Sequence, residues 1–112
     1  MLPASKTVQH ADADVFTAIA HPVRRQLLDM LTHNEQTVTE LAAPFAMSRP
    51  AISQHLRILL DTGLVSEHRK GRERHYRLHA DHLIEVQRWL QTYQRFWQNR
   101  LEALGNYLES QE

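Results

Sequence analysis

The hydrophobic positions of this chain change period along its length, and the changes divide it into predicted helices and one predicted hairpin. Within residues 12–62 the apolar positions recur at three- and four-residue spacing, which predicts four helices in succession. Residues 65–78 alternate between apolar and polar side chains, which predicts two strands around a glycine turn. From about residue 81 to residue 108 the helical spacing returns without interruption. This order predicts a mainly α fold with a small β-hairpin.

Capping residues and a proline set the starts of the first three predicted helices. Asp12 or Asp14 can cap the first helix, ahead of apolar residues that share one face. Pro22 is suited to open the second, because the N–H that proline lacks has no partner in a first helical turn. Thr37 or Thr39 starts the third helix, and an acidic residue three positions after Thr37 fits a capping box.

The fourth predicted helix has clear signals at both ends, whereas the third has a proline in an awkward place. Pro44 falls inside the apolar pattern of the third helix, so it is expected to sit in the first turn or to bend that helix. Ser48 caps the fourth helix, which runs to about Thr62, and Gly63 follows in the position that favours glycine. The side chains of this helix that are predicted to be buried are Ile52, Leu56, Leu59 and Leu60.

The composition indicates one globular domain and excludes thiol chemistry. The chain has 112 residues, of which 42% are hydrophobic and 23% charged, and it has no cysteine. Disulfides, thiolate metal sites and a cysteine nucleophile are therefore excluded. No apolar run approaches the roughly 18 residues that span a bilayer, so we expect a cytoplasmic protein with no membrane partner.

Charge is segregated along the chain, although the formal net charge is zero. Residues 49–77 hold seven Lys or Arg and three Asp or Glu, a balance of +4. Residues 1–48 and residues 78–112 each hold three basic and five acidic residues, a balance of −2. A surface that faces phosphates requires such a contiguous basic block, so the charge pattern favours a nucleic-acid partner.

The order of the predicted elements is that of a winged helix-turn-helix, in which the fourth helix enters the major groove of duplex DNA. Arginine hydrogen-bonds guanine and glutamine hydrogen-bonds adenine, so polar residues at the start of that helix can read bases. The candidate base-reading residues are Arg49, Ala51, Ser53 and Gln54. The candidates for backbone contact or support are Thr39, Ser48, His55 and Arg57. The basic candidates of the wing, which suit phosphates or the minor groove, are Arg69, Lys70, Arg72 and Arg74.

The long last helix carries an apolar stripe that is close to a heptad repeat. At about 1.5 Å per residue it spans roughly 40 Å, more than a domain of this size covers with its own core. We expect a second copy of the chain to cover the stripe in a two-fold homodimer. The candidate interface residues are Val15, Phe16, Ile19, Leu83, Val86, Leu90, Tyr93, Trp97, Leu101, Leu104 and Leu108.

The predicted organisation is a flexible tail over residues 1–11, a winged DNA-binding domain over 12–80, and a dimerisation helix over 81–112. The helix belongs to the same compact unit as the winged domain. A two-fold dimer sets its recognition helices about 34–36 Å apart, one turn of DNA. The expected partner is therefore double-stranded DNA with an imperfect palindrome as the operator.

Three stretches of the chain carry a resemblance to a known family: AHPVRRQLLDML, TVTELAAPFAMSRPAISQHLRILLDTGLV and EHRKGRERHYRL. They resemble the ArsR-type, or arsenic-repressor, regulators, and the similarity runs from about Val15 to Leu90. The resemblance implies a homodimer that represses its own operon and releases DNA when a ligand binds. It also implies base contacts by Arg49, Ser53 and Gln54.

The metal sensors of that family are absent or incomplete here. Where the archetype of the family binds arsenite or soft metals through cysteines, this chain reads Leu41-Ala42-Ala43. The segment VQRWLQTYQRFWQNRLEALGNYL is similar to a metal-independent branch of the family. A second family site uses Asp, His and Glu on the last helix, and only an incomplete set is present: His79, Asp81, His82 and Glu85. We predict no metal and no cofactor, and the inducing signal stays open.

Several alternatives remain at this point. The winged fold can also serve as a helical module that binds protein, which a weak salt dependence of binding would indicate. Arg24 either braces the fold by binding carbonyls or an acid, or approaches the DNA backbone. The aromatic residues of the last helix either pack in a dimer core or line a small-molecule pocket. The chain shows no Ser-His-Asp pattern, phosphate loop or carboxylate pair, so an enzyme is not predicted.

Overall fold

The structure, a computed structural model, describes residues 14–111 and has a mainly helical architecture with a small sheet. The helices are α1 (Val15–Ile19), α2 (Pro22–Met30), α3 (Val38–Ala42), α4 (Arg49–Asp61) and α5 (Ile84–Ser110), and a 3₁₀ turn (Ala80–Leu83) precedes α5. The strands are β1 (Gln36–Thr37), β2 (Val65–Lys70) and β3 (Glu73–Leu78). This element order confirms the predicted winged helix-turn-helix fold. The predicted tail and the alternative cap Asp12 lie outside the described residues.

Side-chain caps start the helices at the residues that the sequence indicates. The carboxylate of Asp14 accepts a hydrogen bond from the Thr17 backbone N–H at 2.8 Å, so α1 begins directly after Asp14. Thr37 rather than Thr39 caps α3. Its hydroxyl accepts from the Glu40 N–H at 3.2 Å, while the Glu40 carboxylate accepts from the Thr37 N–H at 2.8 Å. The predicted capping box is therefore confirmed.

The segment between α3 and α4 differs from the expectation for Pro44. Helix α3 ends at Ala42, so Pro44 lies beyond the helix and neither opens it nor bends it. The cause is local, because a proline ring collides with the carbonyl four residues earlier and has no N–H to donate. The apolar pattern continues past the proline, but the backbone leaves the helix before it. The Ser48 hydroxyl then accepts from the Ala51 N–H at 3.2 Å and starts α4 as predicted.

The sheet is antiparallel with the order β1-β3-β2, one strand more than the hairpin predicted from the sequence. Strands β2 and β3 form that hairpin, and Gly71 in its turn has a positive φ of 64°. The additional strand is only two residues long, with Gln36 opposite Tyr76 and Thr37 opposite His75. Two residues are too few to show an alternating pattern, so the prediction of two strands was incomplete.

The core lies between α2, α3, α4 and the base of the hairpin. The side chains buried most completely are Leu27, Leu41, Ile52, Leu56, Leu59 and Leu64. Leu60, predicted to be buried, is only partly so. Val86 in the first turn of α5 packs against this core, whereas α5 beyond it is exposed. Within residues 14–111 we find no helix with the length and apolar character needed to cross a membrane.

Candidate nucleic-acid interface

Helix α4 presents one face to the core and the opposite face to solvent, as a DNA recognition helix must. Ile52, Leu56 and Leu59 anchor its inner face in the core. The outer side chains that the sequence singles out for DNA contact are exposed, namely Arg49, Ser53, Gln54 and Arg57. Ala51 is half-buried, and its N–H is engaged by the Ser48 cap. The first turns of α4 therefore combine donors and acceptors with a rigid attachment to the fold.

Arg24 fixes the orientation of α4 relative to α1 and α2. Arg24 is 8% exposed, and its guanidinium donates to the carbonyls of Ala18 at 2.8 Å and Thr17 at 3.0 Å. A third nitrogen of the same group donates to Nδ1 of His55 at 3.1 Å. The interpretation of Arg24 as a brace that binds carbonyls is confirmed. A charged group that is buried and hydrogen-bonded in this way fixes the geometry of the helices it joins.

His55 supports the recognition helix from inside the domain. Its ring lies 4.5 Å from that of His21, centroid to centroid, and it is half-buried between α2 and α4. Burial lowers the pKa of His55 first, and the charges of His21 and Arg24 lower it further. Since Nδ1 of His55 accepts from Arg24, the ring is neutral in this arrangement and carries its hydrogen on Nε2.

The hairpin and the start of α4 form the walls of one cleft of about 330 Å³. Strand alternation sends Arg69 and Arg74, which are cross-strand neighbours, to the side of the sheet that holds Tyr76 in the core. The cleft is lined by Thr37, Val38, Thr39, Arg49, Ser53, Arg69, Arg72, Glu73 and Arg74. Cationic side chains of the wing and of the recognition helix thus converge with small hydroxyl residues on one concave surface.

Lys70 does not join the other three basic residues of the wing. It alternates to the opposite side of the sheet, where its Nζ lies 2.8 Å from Oε1 of Glu35. Sequence reasoning missed Glu35, because it lies in the polar run before β1 and its partners are more than thirty residues away. A pattern within a short stretch of sequence cannot reveal a contact between residues so far apart in the chain.

Arg57 is exposed and lies one turn before Asp61, with 3.3 Å between Nε and Oδ1. The two side chains are 72% and 56% exposed. Exposed pairs of this type contribute little to stability, so Arg57 can exchange Asp61 for a phosphate at small cost.

The incomplete metal set at the start of the last helix does not assemble. The ring of His82 lies over Gly63, where a Cβ atom would come within 2.8 Å of its Cδ2. The positive φ of 78° at Gly63 favours glycine, and a larger residue there would also have to displace the ring of His82. Among residues 14–111, no three His, Asp or Glu side chains form a group that could hold a metal ion.

The predicted interface residues fall into three groups by exposure. Val15 is 4% exposed and belongs to the core of its own chain. Phe16, Ile19, Leu83 and Val86 pack partly against that core. The remaining predicted residues lie exposed on α5: Leu90, Tyr93, Trp97, Leu101, Leu104 and Leu108. The structure therefore leaves a continuous apolar stripe on α5 open for a partner.

Comparison with known proteins identifies this arrangement. Residues 21–67 match the sequence model of the family described as bacterial regulatory protein, arsR family. The transcriptional repressor SdpR of Bacillus subtilis is 39% identical over 77 residues, which cover 69% of this chain and 86% of SdpR. The chain belongs to the ArsR family. It is a DNA-binding transcriptional regulator rather than an enzyme.

Two further similarities agree with membership of the ArsR family. The HTH-type transcriptional repressor SmtB of Mycobacterium tuberculosis is 34% identical over 84 residues, which cover 75% of this chain and 62% of SmtB. The crystal structure of the ArsR family transcriptional regulator RHA00566 superimposes with a TM-score of 0.66 at 36% identity. That superposition covers 74% of this chain and 91% of the other.

Proposed function

We propose that this ArsR-family protein is a homodimeric repressor of its own operon, acting in the bacterial cytoplasm on an imperfectly palindromic operator. The observation that carries the proposal is the cleft in which Arg49 and Ser53 of α4 face the basic side chains of the wing. A helix that enters the major groove beside a cationic hairpin supplies base readout and phosphate contact together.

Sequence readout is assigned to the first turns of α4. Arg49, Ser53 and Gln54 project outward there and carry the groups that pair with guanine and adenine edges, while Ala51 offers a methyl group. The proposed roles in backbone contact or in support of the helix belong to Thr39, Ser48, His55 and Arg57. In the wing, Arg69, Arg72 and Arg74 are the proposed phosphate or minor-groove contacts.

The dimer is proposed because, among residues 14–111, the apolar stripe on α5 stays exposed. This stripe continues from Leu90 to Leu108 over about 27 Å of helix, and an apolar surface of that length is larger than monomeric proteins leave in water. A second copy, related by a two-fold axis, covers the stripe with the same stripe. Phe16 and Ile19, half-buried beside the start of α5, extend the proposed contact.

The inducing signal is proposed to act without thiolate metal chemistry. The segment Leu41-Ala42-Ala43 stands where the family archetype has its cysteines, and Leu41 is fully buried in the core. This supports a metal-independent regulator that an unidentified small molecule releases from DNA.

The salt dependence of DNA binding tests the proposed interface. Affinity for an operator found by genome-wide binding is measured by fluorescence anisotropy between 50 and 300 mM salt. Arg72→Ala should reduce the slope of log affinity against log salt by about 0.9, because one phosphate contact is lost. Arg88→Ala, which removes an exposed arginine from α5, is the matched control and should leave the slope unchanged. If Arg72→Ala matched its control while the protein stayed folded, the wing would lie off the DNA.

A further inference from the structure

A single carboxylate gathers the cationic and imidazole side chains on the outer face of the wing. Oε1 of Glu35 lies 2.8 Å from Nζ of Lys70, 3.4 Å from Nε2 of His68 and 3.5 Å from Nδ1 of His75. Its Oε2 accepts a hydrogen bond from Nη2 of Arg77 at 3.1 Å. The side chain of Glu35 is 21% exposed, although those of Lys70 and Arg77 are 60% and 62% exposed. The carboxylate of this cluster is therefore shielded from water, unlike that of Asp61, which is 56% exposed beside Arg57.

Strand register explains why these groups meet. His68 pairs with His75, and Lys70 pairs with Glu73, so their side chains share the face opposite to Arg69 and Arg74. Glu35 stands directly before β1, and the pairing of β1 with β3 brings it to that face. The wing therefore has two faces. On the cleft face Arg74 lies 3.8 Å from Glu67, and Arg69 makes no ion pair among residues 14–111, whereas on the outer face Glu35 contacts Lys70, Arg77 and both histidines, and Glu73 lies 3.5 Å from Nε2 of His75.

The carboxylate of Glu35 is ionised in the folded protein at neutral pH. The contact with Lys70 lowers the pKa of Glu35 most. The hydrogen bond from Arg77 and the charge of His68 lower this pKa further, to about 2. The short contact between Nζ of Lys70 and Oε1 of Glu35 is thus an ion pair.

From this geometry we propose that Glu35 is a positioning residue for DNA binding: it holds Lys70 on the outer face of the wing and withholds that cation from phosphate contact. Lys70 is the last residue of β2, next to the turn at the tip of the wing. A released lysine at that place has the reach to meet a phosphate beside the groove. Arg77, by contrast, lies near the base of the hairpin, close to the body of the domain. Glu35 in this way limits the sequence-independent part of DNA affinity. The inference rests on the proposed DNA contact by the wing.

Two substitutions separate this role from a purely structural one. Glu35→Gln should steepen the salt slope by about 0.9 and tighten binding about fivefold to tenfold at 0.1 M salt, for operator and unrelated duplex alike. Adding Lys70→Met to Glu35→Gln should return the slope to that of the parent. Lys70→Met alone should leave the slope of the parent unchanged, because its cation is not in contact with DNA. Glu85→Gln removes one exposed acidic charge from α5, is the matched charge control and should not change the slope.

The outcomes distinguish failure of the inference from failure of the proposed interface. An unchanged or shallower slope for Glu35→Gln, or a shallower slope for Lys70→Met alone, would overturn the inference. If Arg72→Ala still reduced the slope in the same assay, only the role of Glu35 would be lost. If Arg72→Ala had no effect, the proposed wing contact would fail and the inference with it.

Discussion

Trp97 lies in the middle of the exposed stripe on α5, and its removal tests the proposed dimer. Trp97 is 44% exposed, so of the roughly 250 Å² that a tryptophan can bury, about 110 Å² remains for a partner. At about 25 cal/mol per Å² this area contributes about 2.7 kcal/mol per protomer, or about 5 kcal/mol for two copies. Because about 1.4 kcal/mol is a factor of ten, Trp97→Ala should raise the dimer Kd by roughly three to four orders of magnitude.

Analytical ultracentrifugation over a dilution series measures this change, and circular dichroism confirms that the variant is folded. Operator affinity should fall in parallel, because one winged domain covers only half of a palindrome. Asn99→Ala is the matched control, since two residues along the helix place its side chain about 200° away from that of Trp97. A wild-type protein that stayed monomeric at micromolar concentration and still bound a palindrome tightly would refute the reasoning. So would a Trp97→Ala dimer as tight as the parent.

The remaining predictions concern readout, induction, pH and the Gly63 junction. Gln54→Ala should cost about 1–3 kcal/mol of binding and relax preference at one operator position, which binding to an operator-variant library measures. Titration of the operator complex with zinc, cadmium or arsenite should change operator affinity by no more than about twofold. A loss of about tenfold with zinc that is abolished by His82→Ala would contradict this prediction. Burial lowers the pKa of His55 in the folded protein, so His55 becomes protonated at a higher pH in the unfolded chain than in the folded one. The free energy of unfolding should therefore fall as pH drops below about 6.5. Urea unfolding at pH 7.5 and 5.5 should show a smaller fall for His55→Gln, and equal falls would exclude the assignment. Gly63→Ala should lower the free energy of unfolding by about 1–3 kcal/mol because residue 63 has a positive φ. Adding His82→Ala to Gly63→Ala should recover only the part of that loss caused by steric contact with the His82 ring. Full recovery would show that the positive φ carries no cost.

Local signals account for the parts of the fold that the sequence predicted well. The start of α4 depends on the Ser48 hydroxyl, which accepts from the N–H of Ala51, and its end depends on Gly63, which tolerates positive φ. Both lie within one helical turn of the feature they determine. The error at Pro44 has the opposite cause, because an apolar period was followed across a residue whose own backbone ends the helix.

Long-range pairing accounts for what the sequence did not show. Strand β1 exists because Gln36 and Thr37 meet β3 some forty residues later, and two residues alone carry no strand pattern. Glu35 becomes part of the wing through the same pairing. The burial of Val15 is also a tertiary effect, since one side of a short amphipathic helix can face either its own core or a partner. The predicted base-reading residues stay a proposal, because exposure on α4 is necessary for readout but does not establish it.

The division of charge in the wing shows why a basic run does not by itself measure a DNA-contacting surface. Arg69 and Lys70 are neighbours in sequence, yet a strand sends them to opposite faces, one lined by the recognition helix and one by Glu35. The surface that we propose for phosphate contact is therefore one face of the hairpin together with its turn. On that count the wing offers three cations, Arg69, Arg72 and Arg74, where the sequence suggested four. Each phosphate contact adds about 0.9 to the slope of log affinity against log salt. A salt titration of DNA binding therefore distinguishes three wing contacts from four.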